Sequence, residues 1–272
     1  MPQSAQYVLG HTDQELERLI EQARQIGPIT RRFFLEAGVA PGMRVLDVGS
    51  GAGDVSFLVA ELIGAAGEVV GVDRSPIAIR TANARKAPLV QSNVSFIEGD
   101  PAAMTLDRPF DAVVGRYVLM FQPDPVALLR GVARHLRPGG VIVFHEIDWH
   151  GARSHPPVPT YDRCCRWIVK TLAQSGADPH FGAKLAACMN AAGLPAVKLH
   201  IESIVSAGPD PAEMAKFMAD LARTLLPAML RLGIATAEEV SIDTLAVRIR
   251  EEMFASTATI TGRAEIGAWT RT

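Results

Sequence analysis

The run VLDVGSGAGD, from Val45 to Asp54, constrains this chain more than any other stretch. Val45 to Val48 reads as a short buried strand and Gly49 to Gly53 as a sharp turn. Asp54 to Leu62 opens an amphipathic helix with Val55, Leu58, Val59 and Leu62 on one face. Glycines at the alternate positions Gly49, Gly51 and Gly53 permit a ligand to approach the backbone closely. The pattern predicts a nucleotide-binding turn, although a plain strand-to-helix turn has the same short signature.

The next predicted strand, Glu68 to Val72, ends at Asp73, about twenty residues beyond the glycines, where a carboxylate can accept hydrogen bonds from ribose hydroxyls. A nicotinamide-dependent oxidoreductase would share that feature. Two details weigh against it: the spacing is G-x-G-x-G rather than G-x-G-x-x-G, and Asp47 sits inside the motif, where a dinucleotide fingerprint requires no acid. A ligand with an amino group and no pyrophosphate suits the pattern better.

At four successive places the chain resembles the class I S-adenosylmethionine-dependent methyltransferases. The glycine turn is the first. Asp73 in VVGVDRSP matches the acidic ribose-binding position, and Asp100 in FIEGDPAAM matches the position near the adenine. FDAVVGRYVLMF followed by LRPGGVIVFHE matches the fourth strand, its helix and the fifth strand. The likeness covers roughly residues 40 to 150, and more weakly a final antiparallel pair near Val197 to Val205 and Thr257 to Thr270. It implies S-adenosylmethionine as cofactor, held by Asp47, Gly49, Ser50, Gly51, Gly53, Asp73, Arg74, Asp100, Pro101, Gly115 and Arg116. In related enzymes an N-terminal tyrosine-bearing helix can close over the cofactor, which adds Tyr7, and His11 beside it, as candidates; ordinary packing is the alternative for both.

The remaining strands and helices alternate as a doubly wound α/β fold requires. Ser75 to Leu89 reads as a helix, Val94 to Glu98 as a third strand, Phe110 to Arg116 as a fourth, Asp124 to Leu136 as a helix and Val141 to Glu146 as a fifth strand. Asp47, Asp73, Asp100, Arg116 and Glu146 all fall at or just after strand carboxyl ends, where such sheets bind ligands. The expectation is a seven-stranded, mostly parallel Rossmann-like sheet with helical lid insertions. The whole chain, 1–272, reads as one methyltransferase domain, with an N-terminal helical cap over 1–36 and insertions at 149–178 and 210–254.

Those three segments are where substrate choice would reside. Thr12 and Glu15 form a capping box before Leu16, Leu19, Ile20, Ala23 and Ile26, a short amphipathic helix. The first insertion places Cys164, Trp167, Ile168 and Leu172 at helical spacing. The second does the same with Met214, Phe217, Met218, Leu221 and Leu225, either an adaptable apolar pocket wall or a plain core stripe. A lid of this kind suits a small apolar or aromatic acceptor.

Bulk properties narrow the class further. A net charge of −2 and no Lys/Arg run longer than the pair Arg31 and Arg32 disfavour a nucleic-acid partner. Three cysteines without zinc or disulfide spacing point to a reducing compartment. With no leader-like start and no long apolar run, the expectation is a cytoplasmic protein that neither spans nor binds a membrane. The oligomeric state stays open, a homodimer included.

Methyl transfer from a sulfonium needs chiefly positioning, but an oxygen or carbon nucleophile would want a base. Glu146 is the favoured catalytic candidate and His145 the fallback; strand alternation puts them on opposite faces, and either could instead hold structure through hydrogen bonds. His145, Glu146, Asp148, His150 and His155 are dense in metal-ligand types, yet their spacing gives no tidy site, so no metal is expected. Cys164 and Cys165 invite an arsenite-methylating reading, but neighbours on a helix point about 100° apart. Arg116 could pair with a carboxylate of cofactor or substrate, or bridge Asp111. A fold of this type can also bind the cofactor without transferring methyl.

Overall fold

The computed structural model describes residues 13–86, 93–194, 196–207 and 212–272, with side chains from residue 25 onward. Its elements are α1 (Asp13–Ala37), β1 (Arg44–Val48), α2 (Asp54–Ile63), β2 (Glu68–Asp73), α3 (Pro76–Lys86), β3 (Val94–Glu98), β4 (Phe110–Arg116), α4 (Pro125–Ala133) and β5 (Leu136–Asp148). They continue as β6 (Arg153–His155), α5 (Pro159–Gln174), α6 (Leu185–Ala191), β7 (Lys198–Ser206), α7 (Ala212–Arg231), α8 (Ala237–Val240), α9 (Ile242–Ser256) and β8 (Thr259–Arg271).

Two compact units emerge. The first consists of Leu19–Glu146, Phe181–Ile201 and Ile266–Thr272. Its strands run in the order β3-β2-β1-β4-β5-β8, and the β2–β3, β1–β2, β1–β4 and β4–β5 pairs are all parallel. Parallel strands buried on both faces read as continuous apolar runs, and Ala112–Val114 and Val141–Phe144 have no exposed surface at all. The doubly wound expectation therefore holds, and the sheet gains one short strand, β6, beyond the seven expected. β7 and β8 pair, as expected of the final two long strands.

The largest departure from the sequence reading is α1. A short helix ending near Ile26 was the expectation; the helix instead runs for 25 residues, straight through Pro28. Proline costs a helix one backbone bond, and here tertiary packing outweighs it. Ile26, Ile29, Phe33, Phe34 and Ala37 recur at helical spacing and are all buried, so stopping the helix at Gly27 would expose that whole stripe.

The second unit is built from Ile147–His180 and Glu202–Glu265, with the first turns of α1 up to Arg18. It gathers both insertions into one body, in which α7 packs against α5 and α9. The stripe Met214, Met218, Leu221 and Leu225 is buried there, with Phe217 only partly covered. These side chains are thus the core of a helical unit. In the same unit β6 runs antiparallel to β8, pairing Arg153 with Thr261.

Candidate functional site

In the first unit the parallel register brings the ends of four strands level. Val48 pairs with Val72 on one side and with Gly115 on the other, and Gly115 pairs with Phe144. Gly49, Gly51 and Gly53 all adopt positive φ, at 66°, 52° and 91°, a region costly for residues with a Cβ. The N–H groups of Gly49 and Ser50 donate to the Val72 carbonyl at 2.8 and 3.0 Å, tying the turn to the end of β2.

The carboxylate of Asp73 completes that tie. It accepts from the Gly51 N–H at 2.9 Å through Oδ2 and from the Ser75 N–H at 2.8 Å through Oδ1. Around Gly51 a Cβ would meet nothing within 4 Å, so the turn is open on that side. At Gly49 and Gly53 a Cβ would come within 2.8 Å of Val118 and Phe96. The outer glycines therefore serve packing, and the middle one borders free space beside an acid. Gly115 serves packing too, since a Cβ there would lie 2.4 Å from the Phe144 ring.

Asp47, at the carboxyl end of β1, is 1% exposed. Its Oδ2 accepts from the Ser56 hydroxyl at 2.6 Å, while Oδ1 is buried without a hydrogen-bond partner among the described residues. Burial pushes its pKa up to about 7, against the lowering pull of the Ser56 hydrogen bond and the Arg116 guanidinium. The Ser50 hydroxyl is likewise buried and unpartnered. Two orphaned polar atoms beside a glycine turn are costly unless a ligand satisfies them.

The outer acid is arranged differently. Asp100 accepts from the Ala102 N–H at 2.9 Å and from Arg74 at 2.8 Å, an exposed ion pair linking the residues after β2 and β3. The Pro101 carbonyl receives the His135 ring Nε2–H at 2.9 Å. Arg116 donates to the Thr30 hydroxyl at 3.3 Å; it does not bridge Asp111, which pairs with Arg137 at 2.6 Å.

Both catalytic candidates are fully buried. Glu146 Oε1 accepts the backbone N–H groups of Val118 and Leu119 at 2.9 and 2.7 Å, holding the start of the 3-10 turn Leu119–Phe121. His145 Nδ1 lies 3.1 Å from the Thr30 hydroxyl. With that hydroxyl pointing to the Ile26 carbonyl, 3.2 Å away, the imidazole is the donor; with it pointing to the ring, Nδ1 accepts. Glu146 therefore has a backbone-holding task at the end of β4. Tyr117, between these groups, takes a φ of 55° that non-glycine residues rarely adopt.

The five side chains of the dense His/Asp/Glu stretch do not form one group. His145 and Glu146 belong to the first unit and His155 ends β6. Asp148 and His150 do meet, in the second unit, and are joined by His180, which no sequence pattern marked. Burial alone would raise the Asp148 pKa, but hydrogen bonds from the His150 N–H, His180 and the His150 ring hold it below the usual carboxylate range. Ser56 was also missed; its only signal is a hydroxyl in the first turn after the glycines. Tyr7 and His11 lie outside the described residues.

A family model described as a methyltransferase domain matches residues 40–176. A demethylmenaquinone methyltransferase of Lactococcus lactis is 33% identical over 136 residues, covering 50% of this chain and 52% of its own. An arsenite methyltransferase of Aquipseudomonas alcaligenes is 36% identical over 136 residues, 45% of this chain and 39% of its own. The chain thus spans about half the length, or less, of these curated relatives. Among solved structures, the YcgJ protein of Bacillus subtilis aligns with a TM-score of 0.57 at 17% identity, covering 89% of this chain and 97% of that one, a likeness of fold.

Proposed function

Because the chain belongs to the methyltransferase-domain family, we propose that it transfers the methyl group of S-adenosylmethionine to a small apolar or aromatic acceptor. The observation that carries the proposal is the buried, unpartnered Oδ1 of Asp47 beside the open face of Gly51. An ammonium-bearing ligand laid along the turn would supply the missing donor. Asp73 retains lone pairs for ribose hydroxyls, the Arg74–Asp100 pair and Pro101 border the adenine, and Gly115 and Arg116 border the methionine portion. Tyr7, outside the described residues, is proposed as a further contact of the cofactor.

When bound, the cofactor supplies an activated methyl on a sulfonium, and the protein's task is alignment and exclusion of water. Asp47 offers one negative charge to a ligand that carries two positive ones. Glu146 and His145 act as positioning residues: the first holds Val118 and Leu119, the second braces Thr30, on which Arg116 also leans. The helical unit carries the choice of acceptor, and the protein works as a cytoplasmic enzyme on a small molecule rather than a nucleic acid.

The cysteines favour a carbon, oxygen or nitrogen acceptor over arsenite. Cys164 and Cys165 are buried, and burial drives the thiol of Cys164 well above its usual range and that of Cys165 to about 12. Cys188 is pushed up to about 11 for the same reason. Trivalent arsenic is held by thiolates, and neutral thiols of this kind are poor ligands.

The test is incubation with methyl-labelled S-adenosylmethionine and a panel of hydroxylated arenes, quinols and arsenite, followed by mass spectrometry. Label on an aromatic acceptor supports the reading. Label on arsenite would overturn the acceptor class, and tight cofactor binding without transfer to any compound would move the assignment to a non-methylating member of the fold.

A further inference from the structure

We propose that Asp148, His150 and His180 form a binding site for a divalent transition-metal ion, wholly within the helical unit and independent of the cofactor turn. Asp148 closes β5 and His150 follows two residues later, while His180 comes from the loop after α5. The Trp149 N–H donates to the Pro179 carbonyl at 3.2 Å, which pins the two segments together at the cluster.

Three nitrogen atoms converge on one carboxylate oxygen. His150 Nδ1 lies 2.6 Å and His180 Nδ1 3.2 Å from the same oxygen, Asp148 Oδ1, which also accepts the His150 N–H at 2.9 Å. An oxygen with two lone pairs is thus crowded by three nitrogen atoms. The imidazoles lie with centroids 3.8 Å apart and planes inclined at 35°, and one ligand atom from each of the three residues lies within 4.8 Å of the others. Ligand atoms on a tetrahedral ion with bonds of 2.0–2.2 Å are roughly 3.4 Å apart, so the two Nδ1 atoms, at 2.6 and 3.2 Å from Asp148 Oδ1, would draw back slightly to seat one.

Charge and access agree with that occupant. Two neutral imidazoles and one carboxylate present a single negative charge, which suits a dication. The donor set is that of zinc, cobalt or nickel, whereas magnesium and calcium prefer all-oxygen sites. The Asp148 side chain is 11% exposed, His180 27% and His150 67%. The third ligand therefore faces solvent, leaving an entry path and room for water in the remaining positions. An ion there would cross-link the end of β5 to the loop after α5.

The experiment titrates the purified full chain with Co(II), reading visible absorption, and with Zn(II), reading calorimetry and thermal unfolding; neither readout needs turnover. One equivalent should bind with cobalt bands of a four- or five-coordinate site, and the Tm should rise, while Mg(II) leaves both unchanged. His150→Gln, at the most exposed ligand, tests the site with the least risk to folding, and His180→Gln tests it from the other segment. Each should weaken binding by at least the roughly 10–100-fold that losing even an outer-shell partner costs a metal site. No binding, or binding that survives both substitutions, overturns the proposal. Circular dichroism of each variant separates lost ligation from lost fold.

Discussion

At the scale of single residues the most consequential atom is Asp47 Oδ1. A carboxyl whose folded-state pKa has been raised to about 7 by burial is largely protonated at pH 6 and largely ionised at pH 7.5. A cationic ligand binds the ionised form better, so affinity for S-adenosylmethionine should climb several-fold across that interval. Calorimetric titration of the cofactor at pH 6.0, 6.75 and 7.5 measures this, and Asp47→Asn should bind weakly with the slope abolished. Arg116 lowers the Asp47 pKa, so Arg116→Gln should move the midpoint to higher pH. The sign for the ligand-free fold is opposite. The stabilising contribution of protonated Asp47 is complete below its ordinary value of 3.8 and is lost as pH rises through about 7. The wild-type Tm should therefore fall over that range more than that of Asp47→Asn.

At the scale of elements, the turn after β1 and the strand end of β5 divide positioning between them. Gly51→Ala should cost about 1–2 kcal/mol for its φ of 52° and weaken cofactor binding, since its Cβ would enter the open side of the turn. Gly49→Ala should cost more, because about 1–3 kcal/mol of overpacking against Val118 adds to the same backbone penalty; urea unfolding of both variants gives the comparison. Glu146→Ala would leave two buried N–H groups without their acceptor, at about 1–3 kcal/mol each, whereas Glu146→Gln keeps an acceptor oxygen and should retain most turnover with an unshifted pH profile. Turnover lost in Glu146→Gln at unchanged stability would restore the base assignment. The same elements show what a sequence can disclose. β3 and β4 were readable to the residue because short apolar runs and flanking turns mark both ends. Asp73 was readable because its spacing from the glycines is fixed by the length of α2. The task of Glu146 was not readable, because an acid at a strand end has the same signature whether it meets a ligand or a backbone turn. His180 was invisible, lying in the non-periodic stretch ADPHFG, and α1 was cut short because Pro28 is a stop signal that only packing overrules.

At the scale of the whole molecule, only one of the five boundaries between the two units, His180 and Phe181, falls in a loop. The other four, at Arg18 and Leu19, Glu146 and Ile147, Ile201 and Glu202, and Glu265 and Ile266, fall inside α1, β5, β7 and β8 respectively. Domains that unfold separately are usually joined by exposed, polar connections. Here the chain passes from one unit to the other four times within a hydrogen-bonded helix or strand, so melting one unit removes the backbone partners of an element that continues into the other. The expected result is a single calorimetric transition whose van't Hoff and calorimetric enthalpies agree. S-adenosylhomocysteine, whose proposed contacts among the described residues all lie in the first unit, should shift that entire transition upward by mass action, by about 2.7 kcal/mol at a hundredfold excess over Kd. Two resolved peaks, with only one moved by the ligand, would show that the units fold independently despite the shared strands. Acceptor choice could then be exchanged by replacing the helical unit, whereas under one cooperative transition such a replacement would also cost cofactor affinity.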